Sequence, residues 1–424
     1  MHFFNFVPAA LAIALAAPFS LPAIAAPVEL ELSHQLDEER AERLEKLVAI
    51  FNTRQKDAQF KLVRRTPGSL PSALNLVTRE EQAQFVAAKR EFKPLHLVMK
   101  EAGEAFDAAQ IAPELRVNLG DGKGNLVALP LAWSTPVLFI NKESFRKAGL
   151  DPEKPPKTWQ EVQKAADKLF DAGSTCPYTT SWPAWIHIDN LSTWHGVPIT
   201  DGKGRLAFNT LLQVKHLAQT TTWTKARYFI YFDRRDEADR RFAAGDCGML
   251  TSSASVYALL DDKHKQNTGV STLPYHDDQP EAPKQTLAGG SSLWVGSGRK
   301  PAEYQGVARF IRFITEPDIQ VQISTAGGFL PMTAAARAAV GGRLLRNDVP
   351  ALQVAYGQLK GPAALTSFRV AEHDKVRAVV EEELEAAWAG RKSAKQALDD
   401  AVQRGNLLLA PTAAPAKQPA ARKK

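Results

Sequence analysis

Two rhythms of apolar positions run along the chain. In residues 36–56, Leu44, Leu47, Val48 and Phe51 recur at helical spacing with charges opposite, which predicts an amphipathic helix. "TWQEVQKAADKLFDAG" repeats that rhythm. Val162, Ala165, Leu169 and Phe170 form its stripe, Thr158 and Glu161 a capping box, and Gly173 closes it. "AEYQGVARFIRFIT" turns Val307, Phe310, Ile311 and Ile314 inward, and "HLVMKEAG" reads as a helix end before Gly103. Two terminal helices are predicted at "VRAVVEEELEAAWAG" and "SAKQALDDAVQRGNLLL".

Between these lie strand-like runs. Residues 126–142 are largely apolar and contain Pro130 and Pro136, which suits one or two buried strands near a crossover. "TLAGGSSLWVG" is a Gly-flanked strand, and "DCGMLTSSAS" is a strand running into a polar turn and a new helix. Alternating strand and helix signals predict α/β layers. The chain has no internal repeat.

The first 25 residues hold no Asp, Glu, Lys or Arg and end in Ala23-Ile24-Ala25, a small-x-small cleavage pattern. They are expected to be a signal peptide that sends the protein to the periplasm. A membrane anchor is disfavoured because Pro18 and Pro22 break the short apolar run. The remainder of the 424 residues exceeds one hydrophobic core, so two domains are expected. The net charge of +7 owes four charges to Lys417, Arg422, Lys423 and Lys424 in an Ala/Pro/Lys-rich tail, 411–424, expected to be disordered. The rest lacks the basic stripe of a nucleic-acid-binding protein. Cys176 and Cys247 are either two buried thiols or one bridge, and a bridge would contribute on the order of 4 kcal/mol in the chain-entropy account.

Nucleophile elbows, Walker loops, HExxH and CxxC are all absent. His276, Asp277 and Asp278 in "YHDDQ" sit too close together to converge on one ion and read as a solvated loop. His187 and His195 read as loop or pocket-edge residues, and "DRRDEADRRF" (233–242) as a solvated helix face. No metal, no cofactor and no enzymatic activity is expected. The remaining signals are recognition equipment: Trp182 and Trp185 in "TSWPAWIH", a polar turn at a helix start, a Gly-Gly-Ser-Ser strand entrance, and Arg377 on an otherwise apolar helix face. Arg377 suits either a salt bridge to a local carboxylate such as Glu381 or a two-pronged hold on an anionic ligand.

"STPVLFINKESFRKAGLDPEKPPKTWQEV", "CPYTTSWPAWIHIDNLSTWHGVPI", "FAAGDCGMLTSSAS", "GGSSLWV" and "GGFLPMT" resemble, in order, the solute-binding proteins of ABC importers, most of all the glycerol-3-phosphate-binding members. "VRAVVEEELEAAWAGRKSAKQALDDAVQRGN" extends the match, which covers most of residues 92–409. The resemblance implies two α/β lobes joined by crossover strands, a ligand cleft between them, and hinge closure. It assigns 26–135 with 291–340 to the N-terminal lobe and 136–290 with 341–410 to the C-terminal lobe. It also implies a ligand wall of Trp182 and Trp185, with Ser134, Ser253, Gly290 and Arg377 as further contacts and Glu80 for glycerol hydroxyls. The two cysteines fall where that family has its own pair. Expected partners are a small-molecule ligand, sn-glycerol-3-phosphate or a glycerophosphodiester, and the inner-membrane permease with its ATPase. The receptor is expected to be a monomer. Another polyol or sugar is the alternative ligand, and a non-transporting sensor or scaffold the alternative role.

Three positions depart from the family pattern. Leu32 stands where the family has tryptophan, beside Ser33 and His34. The segment between "FKLVRR" and "LNLVTREE" is short by a helix, which removes a phosphate-contacting tyrosine, and Arg79 replaces another tyrosine. Phe329 replaces the tyrosine of the "GYLP" turn and so lacks its hydroxyl. The N-terminal lobe is thus the altered one.

Overall fold

A computed structural model describes residues 26–409 except 37, 67–68, 79–80, 82–90, 117–118, 122, 280–281, 346–348 and 360–372. The expected signal peptide, the tail, Arg79 and Glu80 lie outside the described residues. Among those described, no helix is long and apolar enough to cross a membrane.

The strands, in chain order, are β1 (Val28–His34), β2 (Ala58–Arg64), β3 (Leu74–Val77), β4 (Phe92–Lys93), β5 (Leu129–Ser134), β6 (Pro136–Asn141), β7 (Tyr178–Thr180), β8 (Met249–Ser253), β9 (Thr268–Thr272) and β10 (Gly289–Gly296). They form two sheets. The first has the order β2-β1-β3-β10-β4, with β5 also paired to β10, and the second β7-β8-β6-β9. β1 runs parallel to β2 and β3, whereas β10 is antiparallel to β3, β4 and β5. Alternation fixes the buried face of β1, with Leu30 and Leu32 inward and Glu29 and Glu31 outward.

Helices cover each sheet. Glu38–Arg54 and Pro301–Thr315 pack on the first, where Phe51, Phe60 and Phe310 meet edge-on or tilted at 4.7–5.8 Å. Gly306 lets that second helix approach, because a Cβ there would lie 2.6 Å from Leu30 and 2.9 Å from Ala58. The second core gathers Trp159, Tyr178, Trp223, Phe229 and Trp388. Its helix Trp159–Asp171 begins with the Thr158–Glu161 capping box and buries Val162, Ala165 and Leu169, while Phe170 is half-buried. The two terminal helices form as His373–Trp388 and Ala394–Leu409. "HLVMKEAG" is nearly a whole helix, Leu95–Glu101, since Pro94 precedes it without a free N–H.

The apolar run 126–142 becomes two strands in different sheets, separated by Thr135 alone. This is the crossover. Gln358 locks it: its amide donates to the Thr135 hydroxyl at 3.1 Å and the Pro136 carbonyl at 2.8 Å, and its oxygen accepts from Leu273 N at 2.7 Å. Cys176 and Cys247 form a disulfide with Cα atoms 4.6 Å apart, joining the chain just ahead of the parallel strands β7 and β8.

Three sequence-based expectations are corrected. His276 is 5 % exposed, not solvated, although the adjacent Asp277 and Asp278 are exposed. His187 and His195 are core residues, not pocket edges, at 2 % and 4 %. Within "DRRDEADRRF" the helix Glu237–Ala243 is amphipathic, and Ala238, Asp239 and Phe242 are buried. Short charged runs hide such faces, because one buried carboxylate looks like its solvated neighbours.

Candidate functional site

Residues of both lobes enclose a cavity of about 380 Å³. Its floor is the pairing of β5 with β10, where Ser134 lies opposite Gly289 and Gly290 opposite Trp133. A Cβ at Gly290 would fall 2.0 Å from the Ala132 carbonyl oxygen, so glycine permits this close pairing. Ser134 is 2 % exposed, and its hydroxyl donates to the Thr135 carbonyl at 3.4 Å.

Trp182 and Trp185 line one wall. Trp185 opens a π-helical turn, Trp185–Asn190, that continues into the helix Leu191–Trp194. Its indole N–H donates to the Leu287 carbonyl at 3.2 Å, which orients the ring. Asn190 clamps the same loop, accepting from Leu287 N at 2.7 Å and donating to the Trp185 carbonyl at 3.0 Å. Trp182 has φ of +53°, costly for a bulky residue, and the Arg235 guanidinium sits 5.5 Å from its ring centroid. Such strain fits a ring held in place by its surroundings.

The helix Glu38–Arg54 also lines the cavity, with Arg40, Arg43 and Lys46 together with Leu44, Leu47 and Ile50. Arg40 reaches across to Asp236 at 3.0 Å, and Arg43 to the Ala258 and Ala326 carbonyls at 3.0 and 3.3 Å. The bonds to Asp236 and Ala258 reach the segments flanking β8 of the second sheet, whereas the bond to Ala326 stays on the side of the first sheet. Asp239 is the one carboxylate among the described lining residues. Burial pushes its pKa up to about 6, although the Ser181 hydroxyl donates to it at 2.6 Å.

Ser253 lines the cavity at the end of β8. The chain then enters a six-residue 3-10 helix, Ala254–Leu259, and the Ser253 hydroxyl caps it by accepting from Ser255 N at 3.3 Å. Phe329 lines the cavity as well, its ring lying over Gly327, where a Cβ would come within 2.5 Å of it.

Arg377 is not among the lining residues. Its guanidinium is held two-pronged by Asp189, at 2.7 and 3.3 Å, within the turn that carries Trp185. The anion it grips is therefore a side chain of its own chain. Leu32, Ser33 and His34 are buried in β1, and the Ser33 hydroxyl donates to Asn75 at 2.8 Å.

The cavity thus unites Trp182, Trp185, Ser134, Ser253, Gly290 and Phe329, and leaves out Arg377. Sequence reasoning missed Arg40, Arg43 and Asp239. The signal for the arginines was present: positions 40, 43, 44, 47 and 50 share one helix face, so the cations edge its apolar stripe instead of opposing it.

Residues 48–342 match the family described as bacterial extracellular solute-binding protein. The sn-glycerol-3-phosphate-binding periplasmic protein UgpB of Yersinia pseudotuberculosis serotype I (strain IP32953) is 36 % identical, over 94 % of this chain and 96 % of that protein. Among solved structures, maltose-bound T. maritima MalE3 superposes with a TM-score of 0.75 at 18 % identity, covering 90 % of this chain and 100 % of that one. UgpB from Mycobacterium tuberculosis in complex with glycerophosphocholine gives 0.74 at 19 %, over 91 % and 98 %.

Proposed function

The chain belongs to the bacterial extracellular solute-binding proteins, and from that premise we propose that it captures sn-glycerol-3-phosphate or a glycerophosphodiester in the periplasm. It then hands the ligand to the permease and ATPase of an ABC importer. It acts as a monomer, by binding and release, without chemistry on the ligand.

One observation carries this reading: an indole wall, Trp182 and Trp185, shares a cavity with Arg40 and Arg43, and with Lys46, which pairs with Glu42, while Asp239 is the one carboxylate among the described lining residues. Indole faces suit the C–H faces of a glycerol backbone, and a cationic surround suits a phosphate. Ser134, Ser253 and the backbone at Gly290 supply polar contacts. Arg377 serves as a positioning residue that acts through Asp189 on the Trp185 turn. The lobes, 26–135 with 291–340 and 136–290 with 341–410, close over the ligand about the Thr135 crossover. The ligands named for the 36 % identical relative and for the glycerophosphocholine complex agree with this choice.

The test is titration of the protein with sn-glycerol-3-phosphate, glycerophosphocholine, inorganic phosphate and maltose, followed by tryptophan fluorescence and calorimetry. Saturable binding of either of the first two is expected. Binding of maltose alone, or of none of the four, overturns the proposal.

A further inference from the structure

The cavity is larger and more apolar than a three-carbon phosphate needs. Its volume of about 380 Å³ falls in the range of sites for drug-sized ligands, roughly 300–1,000 Å³. On the helix Glu38–Arg54 the lining residues run from Arg40 through Arg43, Leu44, Lys46 and Leu47 to Ile50, about 15 Å at 1.5 Å per residue. Ile323 of the helix Pro317–Gly327 and Leu259 at the end of the 3-10 helix line the same cavity. Leu47, Ile50, Leu259 and Ile323 are all only half-buried. Arg43 ties these walls together through the Ala258 and Ala326 carbonyls. The lining thus combines indoles, serines and basic side chains with a set of half-buried aliphatic side chains.

We infer that the preferred ligand is a glycerol phosphate bearing one short hydrocarbon chain, the chain lying in the groove between the helices Glu38–Arg54 and Pro317–Gly327. This rests on the proposed function for its glycerol phosphate head and goes beyond it in the tail. Arg40 and Arg43 complement the phosphate, and the four half-buried aliphatic side chains complement the chain. Each methylene buried there is expected to tighten binding about fourfold.

The experiment is calorimetric titration of the protein with 1-octanoyl-sn-glycerol-3-phosphate below its micellar concentration, alongside sn-glycerol-3-phosphate. The octanoyl compound is expected to bind at least tenfold more tightly, and Ile323→Asn to shrink that ratio toward one. Glycerol-3-phosphate binding as well as or better than the octanoyl compound overturns this inference and leaves the proposed function standing. Octanoyl binding without glycerol-3-phosphate binding supports the inference and overturns free glycerol-3-phosphate as ligand. Binding of neither overturns both.

Discussion

Asp189 holds the guanidinium of Arg377 through both carboxylate oxygens, at 2.7 and 3.3 Å, across 188 positions of sequence. The pair fastens the Trp185 turn to the helix His373–Trp388. Arg377→Ala removes the cation that offsets a fully buried carboxylate, so a loss of roughly 3–5 kcal/mol is expected in urea unfolding. Arg377→Lys should recover part of it, since lysine keeps the charge and loses the fork. Lost ligand affinity with an unchanged unfolding midpoint would instead make Arg377 a direct ligand contact.

Gly290→Ala tests the cavity floor. The new Cβ meets backbone on two sides, 2.0 Å from Ala132 O and 2.6 Å from Trp133 Cα. Neither can rotate away, so β5 and β10 must part. Overpacking of side chains costs about 1–3 kcal/mol, and a backbone clash should reach or pass the upper figure. A thermal scan is expected to show a lower midpoint, and the titration a loss of binding.

Phe329→Tyr places a hydroxyl in the cavity. A hydrogen bond to a charged group contributes about 1.5–3 kcal/mol, or roughly ten- to a hundredfold in affinity. Glycerol-3-phosphate is expected to bind at least tenfold more tightly, by calorimetry. A change below about threefold would mean that the phosphate does not approach this ring.

Four histidines form a buried chain. His187 Nδ1 and His216 Nε2 are 2.8 Å apart, His216 Nδ1 and His276 Nε2 3.1 Å, and His195 Nε2 accepts from His276 N at 2.8 Å. Burial lowers all four, His187 to about 3, His276 to about 4 and His216 well below its usual value. Lys215, Asp277 and Asp278 are the charged groups that act on its His276 end. The folded state resists protons that the unfolded chain accepts near pH 6.5, so full stability holds above that pH and is lost toward pH 4. Each such histidine contributes a slope of about 1.4 kcal/mol per pH unit. Asp239, raised to about 6, opposes one of these slopes between its unfolded value and pH 6. Urea midpoints should therefore fall from pH 6.5 to 4.5, and His187→Phe should flatten that decline.

Local chemistry made much of this protein legible. The capping box of Thr158 and Glu161, the stripe of Val307, Phe310, Ile311 and Ile314, and the two prolines of the 126–142 run depend on neighbours within a few residues. Those neighbours are written side by side. Trp182 and Trp185 stand apart: read locally the indoles suit core packing as well, their role as a wall is implied by the family resemblance, and the Trp185 ring is oriented by Leu287, far away in sequence. Asp189 as the partner of Arg377, the histidine chain, and Arg40 bridging to Asp236 belong to the tertiary structure alone. Each joins groups tens to hundreds of positions apart, and which groups meet depends on how the two sheets are wound and joined at Thr135. Burial then settles their chemistry. The same aspartate that would be a solvated charge in an alternating run becomes, at position 239, a carboxyl with its pKa near 6 because the fold has taken away its water.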